Sequence, residues 1–185
     1  MLAPALAAVL LSASAAPKPE PKSAPKAAPA SAAADPFAAW EPLLGDWMGE
    51  GSGQPGEATG GFSFERDLQG RVLVRRSHAD YPASKERPAF RHEDLTVIAL
   101  EGGAPSASYF DNEGHVIRYR VTHSPETHRT VFLSDAIPGA PRFRLTYDWT
   151  APERLTLTFE IAPPGAPEQF KTYLSARAHR APAKR

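Results

Sequence analysis

The stretch Leu43-Leu44-Gly45-Asp46-Trp47-Met48-Gly49-Glu50-Gly51 decides the fold of this 185-residue chain, because the spacing of apolar residues changes there. Before it, Phe37, Trp40, Leu43 and Leu44 recur at helical spacing behind Asp35-Pro36, an N-cap residue followed by proline at the first helical position. After it the period is two. Phe62, Phe64 and Leu68 alternate with Ser63, Glu65 and Asp67; Phe143, Leu145, Tyr147 and Trp149 alternate with Arg142, Arg144, Thr146 and Asp148; Leu155, Leu157, Phe159 and Ile161 alternate with Thr156, Thr158 and Glu160. The helix is too short to stand alone, so its apolar stripe has to lie against one end of a sheet or barrel.

Turn chemistry divides the rest of the chain: Leu68-Gln69-Gly70, Glu101-Gly102-Gly103, Asp111-Asn112-Glu113-Gly114, Ser124-Pro125-Glu126, Pro138-Gly139 and Thr150-Ala151-Pro152. The spacing predicts about ten strands, at 46–52, 60–68, 71–79, 92–100, 106–111, 115–123, 128–134, 142–149, 154–162 and 169–179. Parallel pairing is excluded, since each crossover needs a dozen or more residues. A meander of that size curls, and closure removes its edges. The expected fold is therefore all-β: an up-and-down antiparallel β-barrel with a short N-terminal helix. Barrels of this size tend to enclose a cavity for one small ligand.

Composition narrows the partners. Lys plus Arg equals Asp plus Glu, 21 each, so no global field gathers polyanions and no nucleic-acid partner is expected. With no cysteine, disulfides, thiolate metal sites, a cysteine nucleophile and a lipidated anchor are all excluded. Residues 2–16 are apolar and small, but short of the about 20 residues a membrane span needs. They end in Ala13-Ser14-Ala15, an A-x-A cleavage pattern, which predicts a signal peptide over 1–15 and an exported protein, periplasmic or secreted. Against that, no basic residue precedes the apolar run and Pro4 sits near its start. Residues 16–35, nearly all Pro, Ala, Lys and Ser, read as a disordered linker, 36–180 as the barrel and 181–185 as a tail. Oligomeric state is left open.

The short helix ending in Gly45-x-Trp47 at the start of a meander resembles the calycin superfamily, the lipocalin and fatty-acid-binding-protein barrels. The whole nonapeptide resembles nitrobindin-like barrels and bacterial lipocalin-like proteins whose domain has no assigned function. Tyr109-Phe110-Asp111-Asn112-Glu113-Gly114-His115-Val116-Ile117 resembles the latter group as well. The resemblance implies that Gly45 and Trp47 shape the closed end of the barrel and that Trp47 packs beneath an arginine of the last strand. Arg177 fits that role, with Arg180 behind it. It also implies a loop at the barrel mouth over 51–61. Nitrobindins hold heme through a late histidine; His179 is the only histidine near that end, and 170–180 does not reproduce their terminal pattern. No cofactor is expected, with heme kept as the alternative.

The leading expectation for function is a small, mainly apolar ligand inside the barrel, lined by Phe62, Phe64, Ile117, Tyr119, Phe143, Tyr147 and Phe159. In the alternation Val72-Val74-Arg76-His78, Arg76 falls on an apolar face and reads as an anchor for a ligand carboxylate. His115, Ile117, Tyr119, Val121 and His123 share one strand face. His123 and His128 flank a loop and could hold a metal with Glu126, but a polar hairpin end is the preferred reading, and no metal site is assigned. His92 and Asp94 share a face, yet no nucleophile motif accompanies them, so no catalytic residue is assigned. The alternatives are a heme or metal barrel, an enzyme acting through His92, His115 or Tyr119, and a filled barrel that serves as a structural or partner-binding module.

Overall fold

A computed structural model describes residues 35–50, 58–85 and 87–182 of the chain. The expected signal peptide, the linker up to residue 34, most of the loop expected at 51–61 and the last residues of the tail lie outside the described residues. A 3₁₀-helix, Ala38–Leu43, precedes ten strands: β1 (Gly45–Glu50), β2 (Thr59–Asp67), β3 (Val72–Tyr81), β4 (Phe90–Glu101), β5 (Ala104–Asp111), β6 (Val116–Ser124), β7 (Arg129–Ser134), β8 (Arg142–Ala151), β9 (Arg154–Ala162) and β10 (Lys171–Arg180). Each strand pairs antiparallel with its neighbours in sequence, and β1 also pairs with β10, closing the barrel. The expected all-β meander is thus the observed one. No helix among the described residues is long and apolar enough to cross a membrane.

The entry segment winds as 3₁₀ because Pro42 lies inside it and offers no N–H for an α-helical bond. Asp35 opens it: its Oδ1 accepts from the backbone N–H of Phe37 at 2.9 Å and from Arg66 of β2 at 2.7 Å. Phe37, Trp40 and Leu43, the predicted stripe, are buried against the barrel end. Trp47 follows on the inner face of β1, 1% exposed, and its indole N–H donates to the Leu43 carbonyl at 2.9 Å.

The arginine over Trp47 is Arg180, its guanidinium carbon 4.5 Å from the ring centroid. This corrects the assignment to Arg177, which is exposed. Period two settles the matter: Ala178 and Arg180 share the inner face, opposite Gly49 and Trp47, so Arg177 has to face outward. Arg180 also donates to the carbonyls of Leu44 (2.5 Å), Pro42 (2.8 Å) and Pro152 (3.0 Å). Gly45 makes the approach feasible. Its φ of +101° disfavours any side chain, and a Cβ there would stand 3.2 Å from Arg180 Nη1.

His123 and His128 form no metal pair. Their rings belong to a four-ring stack at the same end, Trp40 on His123 at 4.5 Å, His123 on Trp149 at 5.4 Å, and Trp149 on His128 at 6.1 Å. His123 bridges the Ala39 carbonyl (2.8 Å) and the Thr130 hydroxyl (2.9 Å): Nε2–H donates to Ala39, and in the neutral ring that burial favours Nδ1 accepts from Thr130. Above this layer, Tyr147 packs edge-on against Phe62, Phe64 and Phe132, and fills the barrel waist.

Two predictions follow from this end of the molecule. Arg180→Lys keeps the charge but loses the forked contacts to three carbonyls, and should lower unfolding free energy by roughly 2–3 kcal/mol. Arg177→Ala should change it by less than about 0.5 kcal/mol; urea titration read by tryptophan emission measures both. The second concerns pH. Burial pushes the His123 imidazole down, with the Ala39 carbonyl and Glu126 opposing in part. The unfolded chain then takes up a proton near pH 6.5 that the folded chain refuses until lower pH. Stability from this group is complete above about 6.5 and falls as pH drops toward the folded value. His123→Gln should flatten the decline in melting temperature between pH 7 and 5.

Candidate functional site

At the end opposite Trp47, the inner wall turns polar. Period two on β3, β4 and β5 brings Arg75, His92, Asp94, Tyr109 and Asp111 to the inner face, where Arg75 stands beside Thr96 and Thr96 beside Tyr109, with Ser77, Asp94 and Asp111 in the next row. Arg75 donates from Nη1 to Asp94 Oδ1, and the two side chains are 5% and 7% exposed. The guanidinium lies 5.3 Å from the Phe62 ring centroid and 5.8 Å from that of Tyr147. Burial opposes the Arg75 charge, and Asp94 with the surrounding tyrosine oxygens outweighs it. Arg75 Nε and the Tyr147 hydroxyl, both buried, have no hydrogen-bond partner among the described residues.

Nearer the rim, the β5–β6 turn is built on one carboxylate. Asp111 Oδ1 accepts from the backbone N–H of Glu113 (3.0 Å) and His115 (2.8 Å), while Oδ2 meets the Tyr109 hydroxyl (3.1 Å) and the His115 ring (2.8 Å). Asn112 ties the turn to β4, accepting from Glu93 N–H and donating to the Arg91 carbonyl. His92 completes the group, with Nδ1 at 2.8 Å from Glu113 Oε1 and Nε2 at 3.3 Å from the Tyr109 hydroxyl and 3.8 Å from Asp94 Oδ2. Burial works against the Asp111 charge, but the donors of His115 and Tyr109 hold its carboxyl below the usual range. Burial, then Asp94 and Asp111, push the Tyr109 phenol far up; burial does the same to Tyr119 and Tyr147, so all three remain proton donors at neutral pH.

The facing wall is apolar. In the closed ring β4 and β9 stand five strands apart, which is diametrically opposite among ten. There Phe143 of β8 and Phe159 of β9 stack at 5.9 Å, and Tyr173 of β10 meets Phe159 edge-on. Inward-facing Ile117, Phe143, Leu157 and Phe159 are only half-buried, whereas Leu43, Trp47 and Leu155 are 0–2% exposed.

The residues expected to line one cavity are therefore divided between two regions. Phe62, Phe64, Tyr119 and Tyr147 pack on one another and on Phe132 in the filled waist, whereas Ile117, Phe143 and Phe159 face the open end. Arg76, expected to anchor a ligand carboxylate, does not face inward; the inward arginine of β3 is Arg75, already paired with Asp94. Arg76 is exposed on the outer face, where it lines a depression of about 380 Å³ with Glu93, Leu95, Phe110 and Asn112. His115 lies outside β6 and is mostly exposed, and His179 sits on the outer face 3.6 Å from Glu50. Asp94 had been read only as a partner for His92, and Tyr109, Asp111 and Glu113 carried no assigned role; the i, i+2 run Ala107-Tyr109-Asp111 was the available signal.

Comparison with solved structures finds the crystal structure of Rv2717c from M. tuberculosis similar, with a TM-score of 0.53 and 15% sequence identity over 80% of this chain and 99% of that one. At that identity the likeness bears on the fold alone, the closed antiparallel β-barrel. No family model and no curated protein matches the chain.

The buried ion pair yields a sharp expectation. Arg75→Met leaves Asp94 buried without its counter-charge and should destabilise the barrel by about 3–5 kcal/mol. Arg75→Met combined with Asp94→Leu should lose less than either single change, as read from a double-mutant cycle of urea midpoints.

Proposed function

We propose that this barrel is a binding protein for a small amphiphile, received at the end opposite Trp47, with its apolar body against Phe143, Phe159 and Ile117 and its polar head toward the β4–β5 wall. The observation that carries this reading is the division of the open end into two unlike walls, Arg75, His92, Asp94, Tyr109 and Asp111 on one side and stacked phenylalanines on the other. A core built for stability alone has no use for a buried Arg–Asp pair, since well-packed apolar residues of similar volume often serve as well or better. A site built for an amphiphile needs both walls.

The charge balance indicates the head group. Arg75 is already neutralised by Asp94, so a ligand carboxylate would bring uncompensated charge into a buried place. A neutral oxygen, as in an alcohol or a carbonyl, can accept from Arg75 Nε–H and the Tyr147 hydroxyl, the two buried polar atoms without partners. The apolar run over 2–16 supports an exported carrier.

All three tryptophans, Trp40, Trp47 and Trp149, lie at the closed end, so their emission reports on fold integrity independently of the site. Titration with Nile red, a neutral apolar dye, should give saturable one-to-one binding, displaced by a medium-chain alcohol more effectively than by the fatty acid of equal length. Phe159→Asp should weaken dye binding by about tenfold or more while leaving tryptophan emission unchanged. Unsaturable binding, or affinity indifferent to Phe159→Asp, would contradict the proposal.

A further inference from the structure

The rim of the polar wall holds donors close enough together to share one ion. One nitrogen of His92 and one oxygen each of Asp111 and Glu113 all lie within 4.8 Å of one another. They come from two elements, β4 and the β5–β6 turn, that Asn112 locks together through its bonds to Glu93 and Arg91. From these positions we infer that His92, Asp111 and Glu113 form a binding site for a first-row divalent cation such as Zn²⁺ or Mn²⁺. The inference is independent of the amphiphile reading, and either can fail alone.

Donor chemistry selects the ion. One imidazole and two carboxylates suit Zn²⁺, Mn²⁺ or Fe²⁺. The imidazole disfavours Ca²⁺ and Mg²⁺, which prefer all-oxygen surroundings. Charge agrees, because Asp111 and Glu113 bring two carboxylates to His92, whereas the neighbouring Asp94 is already paired with Arg75. One divalent ion balances the two.

Geometry needs little adjustment. Around a tetrahedral ion at about 2.0–2.2 Å, ligand atoms stand about 3.4 Å apart. His92 Nδ1 and Glu113 Oε1, now 2.8 Å apart across a shared proton, would separate slightly as the ion replaces that proton. The other ring nitrogen is already supported, with the Tyr109 oxygen at 3.3 Å and Asp94 Oδ2 at 3.8 Å, the arrangement that orients metal-bound histidines. Asp111, 3% exposed in its side chain, gives up its contact with the mostly exposed His115 ring to free a lone pair. Three protein ligands leave a fourth position open. His92 and Asp111 bring the ion to the inner face of the open end.

The test uses the full chain, stripped with chelator and titrated with Zn²⁺ and separately with Mn²⁺ by calorimetry. One ion per chain should bind, and the melting temperature should rise. Glu113 is half-exposed, so Glu113→Gln should fold normally and bind about 100-fold more weakly, with His92→Gln doing the same. His78→Gln and His179→Gln, which alter the other histidine–carboxylate pairs on the barrel wall, should leave the affinity unchanged. On Zn²⁺ addition, the imidazole carbon resonances of His92 should shift and those of His179 should stay. The inference is overturned if no ion binds stoichiometrically, or if Glu113→Gln and His92→Gln bind as the parent chain does.

Discussion

The structure depends on how Arg180 and Trp47 join the first and last strands of the barrel. A meander becomes a barrel only when its first and last strands meet, and here that seam is short, from Trp47 opposite Arg180 to Glu50 opposite Arg177. Arg180 reinforces it beyond the ladder, with its cation over the Trp47 indole and its donors on three carbonyls from the entry segment and the β8–β9 turn. Cation–π contacts of this kind contribute about 0.5–2 kcal/mol, and the carbonyls add to that. Arginine suits the task because its planar fork serves several acceptors at once. With the seam closed, Trp40, His123, Trp149 and His128 stack across the same end, and the entry segment seals it. The opposite end is thereby left to the polar wall of β3, β4 and β5 and the phenylalanines of β8 and β9.

That opposite end gives up apolar packing for chemistry. The pair Arg75–Asp94, the tyrosine hydroxyls and the Asp111-centred turn are held by one another. Such a network is costly to leave half-satisfied, and two of its buried polar atoms have no partner among the described residues. Diametric placement of β4 and β9 gives the polar group an apolar counterpart across the barrel. Closure fixes this arrangement, since strand order in a ten-stranded ring determines which walls face each other. The contrast between the two walls is thus a consequence of topology as well as of composition.

Much of the fold was legible because turns and period two speak plainly in this chain. All ten strands were anticipated within two residues at their described ends, and Tyr81 and Phe90 stack across the β3–β4 connection that parts two of them. Faces were harder to read than strands. On β3, apolar Val72 and Val74 suggested one inner face, but Leu73, Arg75 and Ser77 face in, and Val74 is buried on the other side. A slip of one residue exchanges every side chain, which is how Arg76 took the place of Arg75 and Arg177 that of Arg180. His123 and His128, which flank one turn in the sequence, are not neighbours: His128 adopts φ +54°, and the Trp149 ring stacks between the two. The polar rim hid in plain view, because Tyr109, Asp111 and Glu113 lay within a stretch that resembled a family without an assigned activity.

The central claim is that the two ends have different roles, one sealed by Arg180 and Trp47 and one open between unlike walls. Methyl-resolved NMR during titration with a medium-chain alcohol tests it most directly. The account predicts saturable shifts at Ile117, Leu157 and Ile161 around the open end, with the methyl groups of Leu43 and Leu155 at the sealed end unmoved. Shifts centred on Leu43 and Leu155, or spread evenly over the barrel without saturation, would contradict it.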